Sequence, residues 1–135
     1  MKAKLSKVLF LAGGLFFLLA FTNFQTKPWP VPEKYEKMKN PVKADDEAIK
    51  AGKALWVKHC QSCHGKTGKG DGTKAAQLET PMEDFTTGAV QNQSDGALFY
   101  KTLEGRDEMP SFKKKIPDEE EIWQLVVFVK SLKAK

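Results

Sequence analysis

The chain has 135 residues, room for one domain and less than that once its ends are set aside. Its formal charge of +5 owes most to three lysines in residues 1–20; the remainder carries 19 basic against 17 acidic residues, a net of +2. So weak a charge, with no basic recognition helix, argues against a nucleic-acid partner. Two cysteines three positions apart cannot make a useful disulfide framework, since a bridge that short would staple almost nothing.

In chain order, three lysines within Met1–Lys7 precede an uninterrupted apolar run from Val8 to Phe21. A basic segment followed by a short apolar one is the layout of a secretory signal, and the run is short for a bilayer span of ~20 residues. Residues 1–22 are therefore predicted to be a signal peptide or an N-terminal membrane anchor, with any membrane association running through residues 8–24. In either case the rest of the chain is exported, to the periplasm or to the outer face of the cytoplasmic membrane. Residues 23–43 read as a Pro-rich spacer, punctuated by Pro28, Pro30, Pro32 and Pro41. Trp29, Val31, Tyr35 and Met38 interrupt its polar character and are expected to dock it against the domain.

Residues 44–135 form the domain proper, and three helical patterns occupy it. The first runs from about Asp45 to Cys60, opens on Asp45-Asp46-Glu47, and places Ala48, Ile49, Gly52, Leu55 and Trp56 at the 3.6-residue period. The second, about Asp95 to Leu103, has Ser94 as its N-cap and Gly105 beyond its end. The third runs from about Asp118 to Leu132; Pro117 and four acids mark its start, and Ile122, Leu125, Val126, Val129 and Leu132 form its apolar stripe. No segment alternates as a strand would. Between the first two helices lies a long stretch rich in Gly, Thr and Pro, from Gly65 to Gln93. Such a loop in a compact domain needs a reason. A flat apolar cofactor, wrapped by the loop, would supply both the reason and the core that a 92-residue domain lacks.

The motif that names the cofactor is Cys60-Gln61-Ser62-Cys63-His64, the C-x-x-C-H attachment signature of haem c. One helical turn separates the two sulfurs, so both can meet the vinyl groups along one porphyrin edge, and His64 then turns its imidazole beneath the iron. Competing readings fail on chemistry. Zinc needs four convergent ligands, which His59, Cys60, Cys63 and His64 cannot supply from six consecutive positions. A thioredoxin-like pair needs a βαβ setting. Gly65-Lys66-Thr67 would end a phosphate-binding loop only with glycine at position 60.

The second axial position calls for another ligand. Met1 is the initiator, Met38 lies in the spacer, and Met82 reads as a gap-filler of the kind methionine often is. Met109, followed by Pro110 in a polar loop 45 residues after His64, lies in no apolar stripe. His64 and Met109 are the expected iron ligands, as in an electron carrier. His59 reads as a surface or helix-end residue.

At these residues the chain resembles the class I c-type cytochromes, the small bacterial mono-haem kind. The likeness is carried by Ala51-Gly52-Lys53-Ala54-Leu55-Trp56, the haem motif with Gly65, Gly68-Lys69-Gly70-Asp71-Gly72, Asp84-Phe85-Thr86, and Ser94-Asp95-Gly96-Ala97-Leu98-Phe99. Gly105, Met109-Pro110 and Glu121-Ile122-Trp123-Gln124-Leu125-Val126 complete it. It covers residues 44–135 and implies an all-α cytochrome c-like fold wrapped around one covalent haem, its first and last helices crossing at Gly52 and Trp56. It also implies a proline whose carbonyl accepts from the proximal histidine ring, for which Pro81 is the candidate.

The function expected is electron carriage in an exported respiratory chain, without enzymatic activity, toward redox protein partners such as a respiratory complex or terminal oxidase. A haem enzyme or gas sensor would need an open sixth position and distal catalytic groups. A complex subunit docked through residues 24–43 would share the carrier's chemistry. Lys113-Lys114-Lys115 reads either as a solvated face or as a steering patch around the haem edge.

Overall fold

A computed structural model describes residues 28–134; the predicted signal or anchor of residues 1–22, and the membrane association through residues 8–24, fall outside the described residues. Six α-helices follow in order: α1 (Glu33–Glu36), α2 (Asp46–His59), α3 (Gln61–His64), α4 (Gly88–Gln91), α5 (Asp95–Glu104) and α6 (Glu119–Ser131), with a 3-10 turn at Ala75–Gln77. No strand is present among the described residues, where one isolated bridge joins Arg106 and Met109. No helix among them is long and apolar enough to cross a membrane.

The three long helices start where local chemistry tells them to. Asp45, Ser94 and Asp118 stand at the N-caps, and their side chains accept from the amides of Ala48, Ala97 and Glu120. Each satisfies one amide that the first turn would otherwise leave without a partner. Acidic side chains follow in the first turns of all three, where the helix dipole favours them.

Packing is dominated by α2 against α6. The close approach is made at Gly52, where an added Cβ would lie 2.8 Å from both the Gln124 carbonyl carbon and the Phe128 Cβ. Trp56, one turn further on, is 1% exposed and packs against Phe128 at 5.6 Å between ring centroids. α6 is more enclosed than a single stripe implies: Trp123, Val127 and Phe128 are buried along with Ile122, Leu125, Val126 and Val129. Its neighbours explain why. Phe99 of α5 stacks on Trp123 at 4.1 Å, and the Asn40 side chain donates to the Trp123 carbonyl, so α2, α5 and the segment before α2 all meet this helix.

Candidate functional site

The turn from α2 to α3 carries the C-x-x-C-H motif. The Cys60 amide donates to the Trp56 carbonyl at 2.9 Å, ending α2, and the Cys60 carbonyl accepts from the amides of Cys63 (3.1 Å) and His64 (2.9 Å), starting α3. The glycine-rich loop then folds back over this turn. Gly70 donates to the His64 carbonyl at 2.9 Å, Gly72 to Cys63 at 3.2 Å, and Lys74 to Ser62 at 2.8 Å. Carbonyls exposed at the end of so short a helix thus find partners within the loop. The Trp56 indole N–H donates to the Gly65 carbonyl at 3.0 Å, tying the loop to α2. The His64 ring lies 4.7 Å from Phe85 and 5.7 Å from Trp56.

Beside this turn is a cavity of about 500 Å³. Cys60, His64, Met82 and Met109 line it, together with an apolar wall that includes Val90, Leu98, Leu125, Val126 and Val129. Cys63 is half-buried and outside the lining, and His59 sits at the end of α2 with its ring edge-on to Phe112. Burial holds the His64 imidazole below its usual pKa, and its Nδ1 is buried with no hydrogen-bond partner. Pro81 also lines the cavity, but its carbonyl does not accept from the His64 Nδ1. Loop backbone had to come within hydrogen-bonding distance for that expectation to hold, and spacing in sequence does not set such distances. Burial, with a smaller contribution from Cys63, pushes the Cys60 thiol up to about 12, which makes it a poor nucleophile.

These features fit a flat, largely apolar cofactor. The volume is within the ~300–1,000 Å³ of such sites, one wall is aliphatic (Val90, Leu98, Leu125, Val126 and Val129), and a neutral imidazole offers a lone pair where a metal could take it. Among the described residues no group of three or more His, Cys, Asp or Glu is placed to hold a bare metal ion.

Met82 reaches the cavity as well as Met109. They are held differently. Met109 closes a tight turn, its amide donating to the Arg106 carbonyl at 2.9 Å and its carbonyl accepting from the Arg106 amide at 2.8 Å. Its neighbour Glu108 reaches across to accept from the amides of Glu79 (3.1 Å) and Thr80 (2.7 Å). Those two bonds hold the Glu108 carboxyl below the ordinary range. Glu108 therefore clamps the loop carrying Met109 to the loop carrying Met82. Nothing in the sequence marks this pairing, because the partners are backbone amides 28 and 29 residues away.

Lys113, Lys114 and Lys115 are absent from the cavity lining; Lys113 pairs with Glu104 at 2.6 Å and Lys115 sits over the Phe112 ring. The charged side chains at the cavity are instead Glu79, Glu83, Lys101, Arg106, Asp107 and Glu108. Sequence reasoning singled out none of them as site residues.

Residues 47–129 match the sequence model of the family described as cytochrome C oxidase, cbb3-type, subunit III. Among solved structures, the chain is similar to the Kuenenia stuttgartiensis reducing HAO-like protein complex Kustc0457/Kustc0458, with 29% identity and a TM-score of 0.65 over 80% of this chain and 52% of that one. It is similar to the KustC0563 c-type cytochrome at 30% identity and a TM-score of 0.54, over 62% of this chain and 98% of that one. Cytochrome CL from the marine methylotrophic bacterium Methylophaga aminisulfidivorans MPT aligns at 28% identity and a TM-score of 0.51, over 64% of this chain and 56% of that one. The chain thus spans about half the length of two of these three proteins. No curated protein matches.

Proposed function

The chain belongs to the family of cytochrome c oxidase, cbb3-type, subunit III, and from that premise we propose that it is a mono-haem electron carrier whose iron is held by His64 and Met109. Its fold is that of the class I c-type cytochromes and its cofactor is covalently bound haem c. Cys60 and Cys63 are the residues proposed to attach it. The observation that carries the reading is that one cavity brings Cys60, His64 and Met109 together.

Bound haem supplies an iron that gains and loses a single electron. The chain's residues set the conditions for that exchange. His64, kept neutral by burial, presents a lone pair rather than a proton. Met109 offers a thioether, a ligand that favours reduced iron and raises the potential. Its loop is fixed by two backbone bonds to Arg106 and by the Glu108 clamp, the kind of support a ligand needs to stay within about 0.5 Å of its place. Met82, on a segment with less support of its own, is the weaker candidate. Apolar side chains from α5 and α6 keep water from the ring.

Domains of this kind are usually exported, and redox proteins are their partners. The oxidase-subunit family supports a position in an exported respiratory chain, with a respiratory complex or terminal oxidase as partner. Periplasmic release or tethering at the outer face of the membrane depends on residues 1–22. Two protein ligands on the iron would leave no position for a substrate, which supports a carrier rather than an enzyme. The test is carbon monoxide added to the reduced protein. Its spectrum is expected to stay unchanged at stoichiometric gas; immediate, stoichiometric binding would mean an open sixth position and would favour a sensor or enzyme.

A further inference from the structure

Two loops of the cavity lining carry its two methionines, residues 79–83 with Met82 and residues 106–109 with Met109. They differ in how they are tied to the rest of the fold. The Met109 loop leaves α5 at Gly105, whose φ of +69° suits a tight reversal; an added Cβ there would also lie 2.5 Å from the Met109 carbonyl oxygen. The Ser111 hydroxyl donates to the Leu103 carbonyl at 2.7 Å and the Phe112 amide to the Thr102 carbonyl at 3.3 Å, which sets the base of this loop on α5. The Arg106 guanidinium adds a bond to the Pro28 carbonyl at 2.9 Å.

Residues 79–82 have no such footing. Among the described residues no backbone–backbone hydrogen bond begins or ends on them; the nearest are from Leu78 to Ala75 at 3.2 Å and from Phe85 to Gly68 at 2.7 Å. Met82 rests on Gly70, where an added Cβ would lie 2.8 Å from the Met82 Cβ. The tethers of this segment run to one side chain instead. One oxygen of the Glu108 carboxylate accepts from the Glu79 amide at 3.1 Å, the other from the Thr80 amide at 2.7 Å, and the Thr80 hydroxyl adds to them. A charged acceptor makes stronger bonds than a neutral one, and the use of both oxygens holds the segment against rotation as well as displacement.

We propose that Glu108 is a latch: it ties residues 79–82 to the Met109 loop and so keeps the sixth position of the iron closed to small ligands. The proposal rests on the haem reading above. Glu108 acts as a positioning residue, through two stretches of backbone rather than on the iron. With the latch released, residues 79–82 lose both backbone tethers, while the Met109 loop keeps its footing on α5. The two loops can then draw apart and admit a diatomic ligand. A closed sixth position separates an electron carrier from a haem that binds gas. Glu108 itself is exposed, so its replacement leaves the buried core untouched.

In the full-length haem-loaded protein, Glu108→Ala removes both bonds, and Glu108→Gln, with a single acceptor oxygen, keeps one. Reduced Glu108→Ala is expected to bind carbon monoxide at stoichiometric gas, where the parent does not, and Glu108→Gln to fall between them. In the oxidised protein, warming should bleach the sulfur–iron charge-transfer band of Glu108→Ala well before its far-ultraviolet circular dichroism is lost; the parent should lose the two together. Parent-like carbon monoxide binding and band in Glu108→Ala would overturn the proposal alone. So would a band and dichroism that disappear together at a lower temperature, the mark of a merely structural role. A parent protein that binds carbon monoxide at once, or carries no covalent haem, would sink the underlying reading and the proposal with it.

Discussion

Replacing Cys60 and Cys63 together with alanine is expected to give a chain that releases haem into acidified organic solvent and, once haem-free, has no cooperative thermal transition. The first effect follows from the loss of both thioether bonds. The second follows from the size of the cavity. At ~24 cal/mol per Å³, leaving an apolar space of about 500 Å³ unfilled costs on the order of 10 kcal/mol. That is an upper bound, because water enters through an open mouth, but whole domains are stable by only ~5–15 kcal/mol. Val90, Leu98, Leu125, Val126 and Val129 belong both to the cavity wall and to the buried core, so the core cannot stay intact while the cavity collapses. Haem extraction and circular dichroism during heating check the two halves. A haem-free chain that still melts cooperatively would show that the core suffices alone.

The second large effect is expected at Gly52. An alanine there places its Cβ within 2.8 Å of the Gln124 carbonyl carbon and the Phe128 Cβ, and closer still to the Gln124 carbonyl oxygen. Backbone cannot rotate aside as a long side chain could, so α2 and α6 must move apart along their main contact. Overpacking of this kind costs ~1–3 kcal/mol and occasionally more, whereas alanine regains ~1 kcal/mol of helix propensity over glycine. Because the clash is with backbone, the overpacking cost lies at ~3 kcal/mol; the net loss of about 2 kcal/mol lowers the melting temperature of a domain this size by roughly 8–16 °C. The neighbouring exposed residue gives the control: Lys53→Ala should stay within ~0.5 kcal/mol of the parent. Equal melting temperatures for Gly52→Ala and Lys53→Ala would mean that the helices do not cross at Gly52.

Much of this architecture can be read from nearby residues. Asp45, Ser94 and Asp118 announce the three long helices because a cap acts on amides two or three positions away. The haem motif is equally local, two sulfurs and an imidazole on a single turn. Residues 28–43 were legible in part: Tyr35 and Met38 signal docking among the prolines, as their packing on the core bears out, but their partners on α5, and the tie from Asn40 to α6, have no local signal. The cavity's charged groups were not legible at all. Glu108 and Arg106 stand on a loop without periodicity, and their partners lie far off in sequence, at Thr80 and Pro28; Lys101 is on α5, but its reach to Gln93 is not marked by any helical spacing. Lys113-Lys114-Lys115 is legible as a run of charge, but its contacts with Glu104 and the Phe112 ring are not.

Met82 and Met109 both line the cavity, and the account turns on which sulfur meets the iron. The most direct measurement is the weak long-wavelength sulfur–iron charge-transfer band of the oxidised protein, recorded for the parent chain, Met109→Ala and Met82→Ala. The account predicts that the band is present in the parent, absent in Met109→Ala together with a lowered reduction potential, and retained in Met82→Ala. A band that survives loss of Met109 and vanishes with Met82 would contradict it.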